Sequence, residues 1–313
     1  MKRFITLVSL LACGLLTWSG PAAGSAQPVV ADKAPLTASQ APAQGSIRFS
    51  IIKTAQVKTR EGLAYSGGSL FKEATMNHTA VLVSHPKGSF LFDTGLGEHI
   101  DAQFGQDMPW WAKPFFTYGK VTPARRQLDA AGLPAITRII LSHGHWDHAS
   151  GLEDFPEAEV WLPSAEREFL DHEHPGAVLP SQITPPSIRW KAYDLTDRPY
   201  ATYPRSHDLF GDGRAVLVSM PGHTPGSVGL FLTVSSGKQY FFVGDTVWRL
   251  EAAKQVRPKF WVASRIVDHD RPETLAGVQK LHAVMSAQPA LVVVPAHDAS
   301  VHDELGYFPQ WVE

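Results

Sequence analysis

Within six residues, His143-Gly144-His145-Trp146-Asp147-His148, the chain carries four side chains able to bind a metal, directly after the apolar run Ile139-Ile140-Leu141 and Ser142. A short β-branched run reads as a buried strand, which here delivers a loop of ligands to its carboxyl end. A rigid sheet fixes where such a loop starts, and Gly144 is expected to let the backbone turn tightly enough for His143 and His145 to converge. Packing explains these residues poorly. Three imidazoles and a carboxylate crowded together would repel when protonated and would need many hydrogen bonds if buried neutral. A divalent cation removes both difficulties, and a site needs three or four such ligands. The remainder should come from other strand ends.

Three later segments have the same grammar of apolar run, turn residue and ligand. Met220-Pro221-Gly222-His223-Thr224-Pro225-Gly226 follows the apolar run 215–218 and carries a histidine. Tyr240-Phe241-Phe242-Val243-Gly244-Asp245 is a strand ending on a carboxylate, and Leu291-Val292-Val293-Val294-Pro295-Ala296-His297 is a strand ending on a histidine.

The order His143-x-His145-x-Asp147-His148, then His223, Asp245 and His297, resembles the metallo-β-lactamase superfamily with its complete two-metal ligand set. The resemblance implies an α/β fold: a four-layer αββα sandwich of two mixed β-sheets flanked by helices. It also implies that His143, His145 and His223 hold one metal, that Asp147, His148 and His297 hold a second, and that Asp245 bridges them. Two divalent ions, zinc by the donor types, would then share a hydroxide that attacks a carbonyl carbon or a phosphorus centre. Asp147 and Asp245 are the candidate catalytic carboxylates, Asp245 as a proton carrier. The flavin-linked di-iron members of the family carry a glutamate where this chain has His145, so hydrolysis is favoured over redox chemistry.

Within the family, the segments around His143–Gly151, His223 and His297 look most like the lactonase branch, which opens acyl-homoserine lactones and related esters. One position departs. Those lactonases commonly place a tyrosine three residues after the bridging aspartate, and this chain has Trp248, which has no phenol hydroxyl. A neighbouring branch hydrolyses organophosphate and aryl esters in aromatic-lined pockets. Glutathione-thioester hydrolysis lacks a basic tail here, and β-lactam hydrolysis is disfavoured by Asp245. From another class, the chain could be a non-catalytic periplasmic metal-binding protein.

A chain of 313 residues with 44% hydrophobic content has room for one large domain or two small ones. The formal charge of −2 carries no basic bias, which argues against nucleic acid and for a small-molecule substrate. Residues 1–26 read as an export signal, with Lys2 and Arg3, an apolar core over 4–18 and the small-residue exit Ala22-Ala23-Gly24-Ser25-Ala26, giving a periplasmic or secreted protein with no transmembrane segment in the mature chain. Leu10-Leu11-Ala12-Cys13 also resembles a lipoprotein cleavage box, but its apolar run continues past Cys13, so simple secretion is preferred. Cys13 is the sole cysteine, which leaves a mature chain without disulfides or thiolate ligands. Residues 27–45, rich in Ala, Pro, Ser and Gln, form a spacer expected to be disordered, and the hydrolase domain is expected over 46–313.

Inside that domain the pattern predicts a strand over 47–57, a hairpin joining 80–83 to 89–92 around Pro86-Lys87-Gly88, and a helix over 123–131. It also predicts a strand over 159–162, a capped helix over 164–171, a hairpin of 226–234 with 238–243, and a helix over 273–287. Asp93 either orients a ligand imidazole or caps its turn. The segment 108–118 holds five aromatic rings and two prolines. Its Trp110, Trp111, Phe115 and Phe116, with Trp248, are candidate substrate contacts; an interface in a homodimer and a small core under a loop are the other readings. His172 and His174 are expected to be solvated, and Asp268-His269-Asp270 reads as a surface or capping cluster.

Overall fold

The computed structural model describes residues 45–313 other than 173 and 197. The expected leader and, Gly45 apart, the expected spacer therefore lie outside the described residues. The strands in chain order are β1 (Arg48–Arg60), β2 (Glu73–Ser84), β3 (Phe90–Phe92), β4 (Arg138–Ile140), β5 (Glu159–Pro163), β6 (Arg189–Tyr193), β7 (Ser206–Asp208), β8 (Ala215–Ser219), β9 (Val228–Thr233), β10 (Gln239–Phe242) and β11 (Val292–Val294).

They form two sheets, one ordered β1-β2-β3-β4-β5-β6 and one ordered β11-β10-β9-β8-β7. Connection length sets direction. β2 and β3, separated only by the turn through Pro86-Lys87-Gly88, pair antiparallel. β3 and β4 are separated by the helices Ile100–Asp107 and Ala124–Ala130 and pair parallel, as a crossover requires. The second sheet is antiparallel except for β10 with β11, between which the long helix Arg271–Ala287 intervenes. Both sheets are mixed, as expected.

Strand alternation then builds the layers. On β8, Ala215 and Leu217 face the other sheet while Val216 and Val218 face helices; on β2, Val81 and Val83 point inward while Ala80 and Leu82 point outward. Runs that are apolar on both faces therefore mark strands covered on both faces. Phe49, fully buried, meets Tyr240 and Phe242 edge-on at 4.7 and 5.1 Å and ties the sheets together. Val278, Leu281 and Val284 of Arg271–Ala287 cover the second sheet, and Leu128 of Ala124–Ala130 covers the first. Asp270 caps the long helix, accepting from the Glu273 amide at 2.8 Å, with Pro272 in the first turn. The helix Ser164–Leu170 departs from expectation. Pro163 occupies its capping position and no side chain caps it, because β5 runs straight into the helix. No helix of the described residues is long and apolar enough to cross a membrane.

Candidate metal centre

The loops after β4, β8, β10 and β11 meet at one end of the sandwich and bring all seven expected ligands together. His143 Nε2 lies 3.1 Å from His223 Nε2, and the His145 ring is 4.6 and 4.5 Å from the rings of His143 and His223. Asp147 Oδ2 lies 3.4 Å from His297 Nε2, and Asp147 Oδ1 is 3.9 Å from His148 Nε2. Asp245 joins the two groups: Oδ2 is 3.5 Å from His223 Nε2, while Oδ1 is 3.3 Å from His148 Nε2 and 3.0 Å from His297 Nε2. Triads close enough to share an ion are His143-His145-His223, His143-His148-Asp245 and His78-Asp147-His297.

The far side of the rings shows that this end is built for a cation. His148 Nδ1 donates to Asp93 Oδ2 at 2.8 Å, His223 Nδ1 to Asp268 Oδ1 at 2.7 Å, and His297 Nδ1 to the Asn77 carbonyl at 2.7 Å. Each partner can only accept, so the proton sits on Nδ1 and Nε2 presents a lone pair to the centre. His145 Nε2, His148 Nε2 and Asp245 Oδ1 are buried without a hydrogen-bond partner among the described residues. Converging lone pairs with no donor are unfavourable by themselves, whereas spacings of 3.0 to 3.5 Å suit donors around an ion. The residues thus fit divalent metals.

Charge differs across the centre. Burial, reinforced by neighbouring imidazoles, holds His143 and His145 well below the ordinary histidine value. Burial and the Lys259 ammonium also lower His223. Burial opposes charge on His148 as well, but Asp93, Asp245 and Asp147 outweigh it and raise its pKa; Asp245 and Asp147 do the same for His297. In return His297 and His148 overcome burial and hold Asp245 well below the usual carboxylate range.

Asp93 takes the orienting role. It sits at φ 59°, a left-handed conformation uncommon outside glycine, and its carboxylate accepts from the Ser142 amide (2.6 Å) and hydroxyl (2.8 Å) as well as from His148. Asp268 departs from the surface or capping reading of 268–270: its side chain is buried, and it accepts from His223, from Lys259 Nζ at 2.8 Å and from Ser264 Oγ at 2.6 Å. The buried cation that pairs it lies nine residues upstream, on the far side of the helix Trp261–Val267, so sequence adjacency gave no signal.

Glu166 and His78 were not legible as site residues. Glu166, wholly buried in the helix Ser164–Leu170, accepts from the Gly144 amide (2.7 Å), the Thr224 hydroxyl (2.6 Å) and the Gly226 amide (3.1 Å), clamping the loops of His143–His145 and His223 to one strut. Burial pushes its carboxyl up to about 7 against these hydrogen bonds. Gly144 is required by proximity rather than by an unusual turn: a Cβ there would lie 2.4 Å from Leu170 Cδ2. At Gly226 a Cβ would lie 2.3 Å from the Glu166 backbone nitrogen. His78, on β2, is buried with Nδ1 3.2 Å from Asp147 Oδ2. The polar pair Asn77-His78 entering the apolar run of β2 was its one sequence signal.

A cavity of about 330 Å³ opens onto both groups of ligands, touching His145, Asp147, Asp245 and His297. Phe115, Phe116 and Trp248 line it; Trp110 and Trp111 do not. The turns at Pro109–Phe115 place Met108, Ala112 and Phe116 inward and leave Trp110 84% exposed, so 108–118 is partly a small core and partly a wall. Trp248 Nε1 donates to Asp245 Oδ2 at 2.7 Å. His172 is exposed, whereas His174, expected in solvent, is half-buried, stacks on Phe169 at 3.6 Å and bonds its carbonyl at 2.7 Å.

The family model of the metallo-beta-lactamase superfamily matches residues 75–297. The chain is 26% identical over 226 residues to the N-acyl homoserine lactonase AttM of Rhizobium radiobacter, covering 69% of this chain and 80% of that relative. It is 24% identical over 241 residues to a probable metallo-hydrolase of Mycobacterium tuberculosis, 71% of this chain and 74% of that one. Among solved structures, an N-acyl homoserine lactone hydrolase with N-hexanoyl-L-homoserine bound at its catalytic metal centre superposes with a TM-score of 0.66 at 18% identity, over 86% of this chain and 100% of that one. The dizinc quorum-quenching lactonase AidC gives a TM-score of 0.55 at 17% identity, over 86% and 91%.

Proposed function

Because the chain belongs to the metallo-beta-lactamase superfamily and is a metal-dependent hydrolase, we propose that it opens lactones or other uncharged carboxylic esters at a two-metal centre. The observation that carries the substrate class is the cavity wall. Leu63, Met76, Phe115, Phe116, Trp248 and Phe260 supply apolar surface against the centre, and no lysine or arginine is among the described residues lining it. Substrates with a free carboxylate or phosphate away from the reacting bond, such as β-lactams and glutathione thioesters, would set that charge against an apolar wall with no lysine or arginine to pair it. A neutral ester with an apolar tail loses nothing there. The relatives named as N-acyl homoserine lactonases support a lactone in particular.

Two divalent cations, zinc by donor type, would lower the pKa of a shared water towards neutrality and polarise the ester carbonyl. His143, His145 and His223 would hold one; Asp147, His148 and His297 the other; Asp245 both. The protein's own contribution is orientation. The indole of Trp248 fixes one oxygen of Asp245, so this residue serves the carboxylate rather than the substrate carbonyl. Asp245 faces the cavity between the two groups and is the carboxylate placed to relay a proton from the attacking water to the leaving oxygen, so that ester and water become acid and alcohol. The apolar wall holds the acyl tail and keeps bulk water out. We also read residues 1–26 as directing export, which the N-terminal mass of the mature protein tests.

A substrate panel with metal-loaded protein tests the proposal. Acyl lactones should be turned over, with KM falling as the acyl chain lengthens. Preference for anionic β-lactams or glutathione thioesters would refute it. Faster hydrolysis of neutral aryl phosphotriesters would favour the second reading, which rests on the aromatic share of the wall. Absence of turnover with metals bound would leave a non-catalytic metal-binding protein.

A further inference from the structure

The seven ligands and the residues behind His148, His223 and His297 leave one buried histidine at the centre without a task. His78 lies on β2, and among the described residues its one side-chain hydrogen bond is from Nδ1 to Asp147 Oδ2 at 3.2 Å. A carboxylate only accepts, so Nδ1 carries the proton. Nε2 is then a bare acceptor, buried with no partner among the described residues. An apolar side chain would avoid that cost, so packing alone does not explain an imidazole here.

The backbone around His78 is fixed with unusual care. Thr54 is the extra residue of a β-bulge in β1, between Lys53, which pairs with Thr79, and Ala55, which pairs with His78. Its buried hydroxyl donates to the His78 carbonyl at 2.9 Å. The preceding residue, Asn77, accepts from His297 Nδ1 through its carbonyl and donates its amide to the His297 carbonyl at 3.1 Å. Two successive residues of one strand thus reach two ligands of the same group, Asp147 and His297, whose facing atoms are 3.4 Å apart.

We propose that His78 is a positioning residue for the second metal: by donating to Asp147 Oδ2 it fixes the carboxylate against His297, and β2 holds the two ligands in register. Asp147 comes from the loop after β4 and His297 from the loop after β11, on different sheets, so β2 supplies the reference that neither loop gives the other. The inference rests on the two-metal reading above.

The test is Zn2+ titration of the metal-stripped full chain against a competing chelator, with the visible spectrum of the Co2+-loaded form as a report on coordination. Parent protein should take two equivalents. His78→Leu should keep the first at parent affinity and bind the second about 10- to 100-fold more weakly. His78→Asn, whose amide can stand where Nδ1–H stands, should recover most of that loss with the parent Co2+ spectrum. If His78→Leu does not fold, His78→Gln replaces it; its donor falls nearer the Nε2 position, so it too should bind the second equivalent weakly. Parent-like binding by the Leu or Gln variant overturns the inference. So does a His78→Asn variant that fails to recover and has an altered Co2+ spectrum, which would make His78 a direct ligand. Parent protein that takes only one equivalent refutes the two-metal reading instead.

Discussion

The two halves of the metal centre reach the same geometry with opposite electrostatics. His143, His145 and His223 form an all-imidazole group whose pKa values are lowered by burial, with neighbouring imidazoles adding to it at His143 and His145 and the Lys259 ammonium at His223. His148 and His297 share their space with Asp147 and Asp245, and the carboxylates outweigh burial and raise the pKa of both rings. The first half keeps its lone pairs free for a cation down to lower pH; the second takes up protons sooner as pH falls and then has to release them to bind one. Asp245 belongs to both, with one oxygen turned to each side.

The harshest way to break this comparison is Asp245→Ala. It should remove the link between the halves and lower kcat/KM on the order of a thousandfold in a protein that still folds, as circular dichroism would check, whereas retained activity would exclude the bridging role. His145→Ala strikes only the first half and should abolish turnover while sparing one metal equivalent.

A pH series sharpens the contrast. Since His148 and His297 have pKa values above the ordinary histidine value, the second equivalent should bind with proton release and tighten as pH rises through the neutral range, while the first changes less. Calorimetry in buffers of different ionisation enthalpy counts the protons. Equal release for both equivalents would erase the distinction.

Glu166 holds the loop of His143 and His145 at Gly144 and the loop of His223 at Thr224 and Gly226. Its folded pKa of about 7 lies above the ordinary 4.5, so the unfolded chain ionises first as pH rises. The associated stability is present below about 4.5 and is lost as pH climbs through 7, on the order of 3 kcal/mol. Glu166→Gln should remove that slope from urea titrations of metal-free protein and weaken the first equivalent more than the second. The smallest effects lie outside both halves: Phe115→Ala should raise KM for long-chain esters about tenfold, and Trp110→Ala should leave kinetics unchanged.

What was legible in the sequence follows from how each residue is positioned. His143, His145, Asp147, His148, His223, Asp245 and His297 ride on strand ends, where an apolar run and a turn announce the ligand locally; the two mixed sheets were implied by the family resemblance, not by the runs themselves. Asp268, Glu166 and His78 are positioned by tertiary packing. Lys259 reaches Asp268 from beyond an intervening helix, and Glu166 reaches Gly226 across sixty residues. Trp110 and Trp111 resemble pocket lining by composition, but the turn period of their loop, not its hydrophobicity, decides which rings face inward.

The helix Ser164–Leu170 has a mechanical consequence. Leu170 seats Gly144, Glu166 seats Gly226, and the carboxylate fastens both loops. When that helix breathes, His143 and His223 travel with it as passengers on one carriage, so their mutual spacing outlasts any drift in their absolute position.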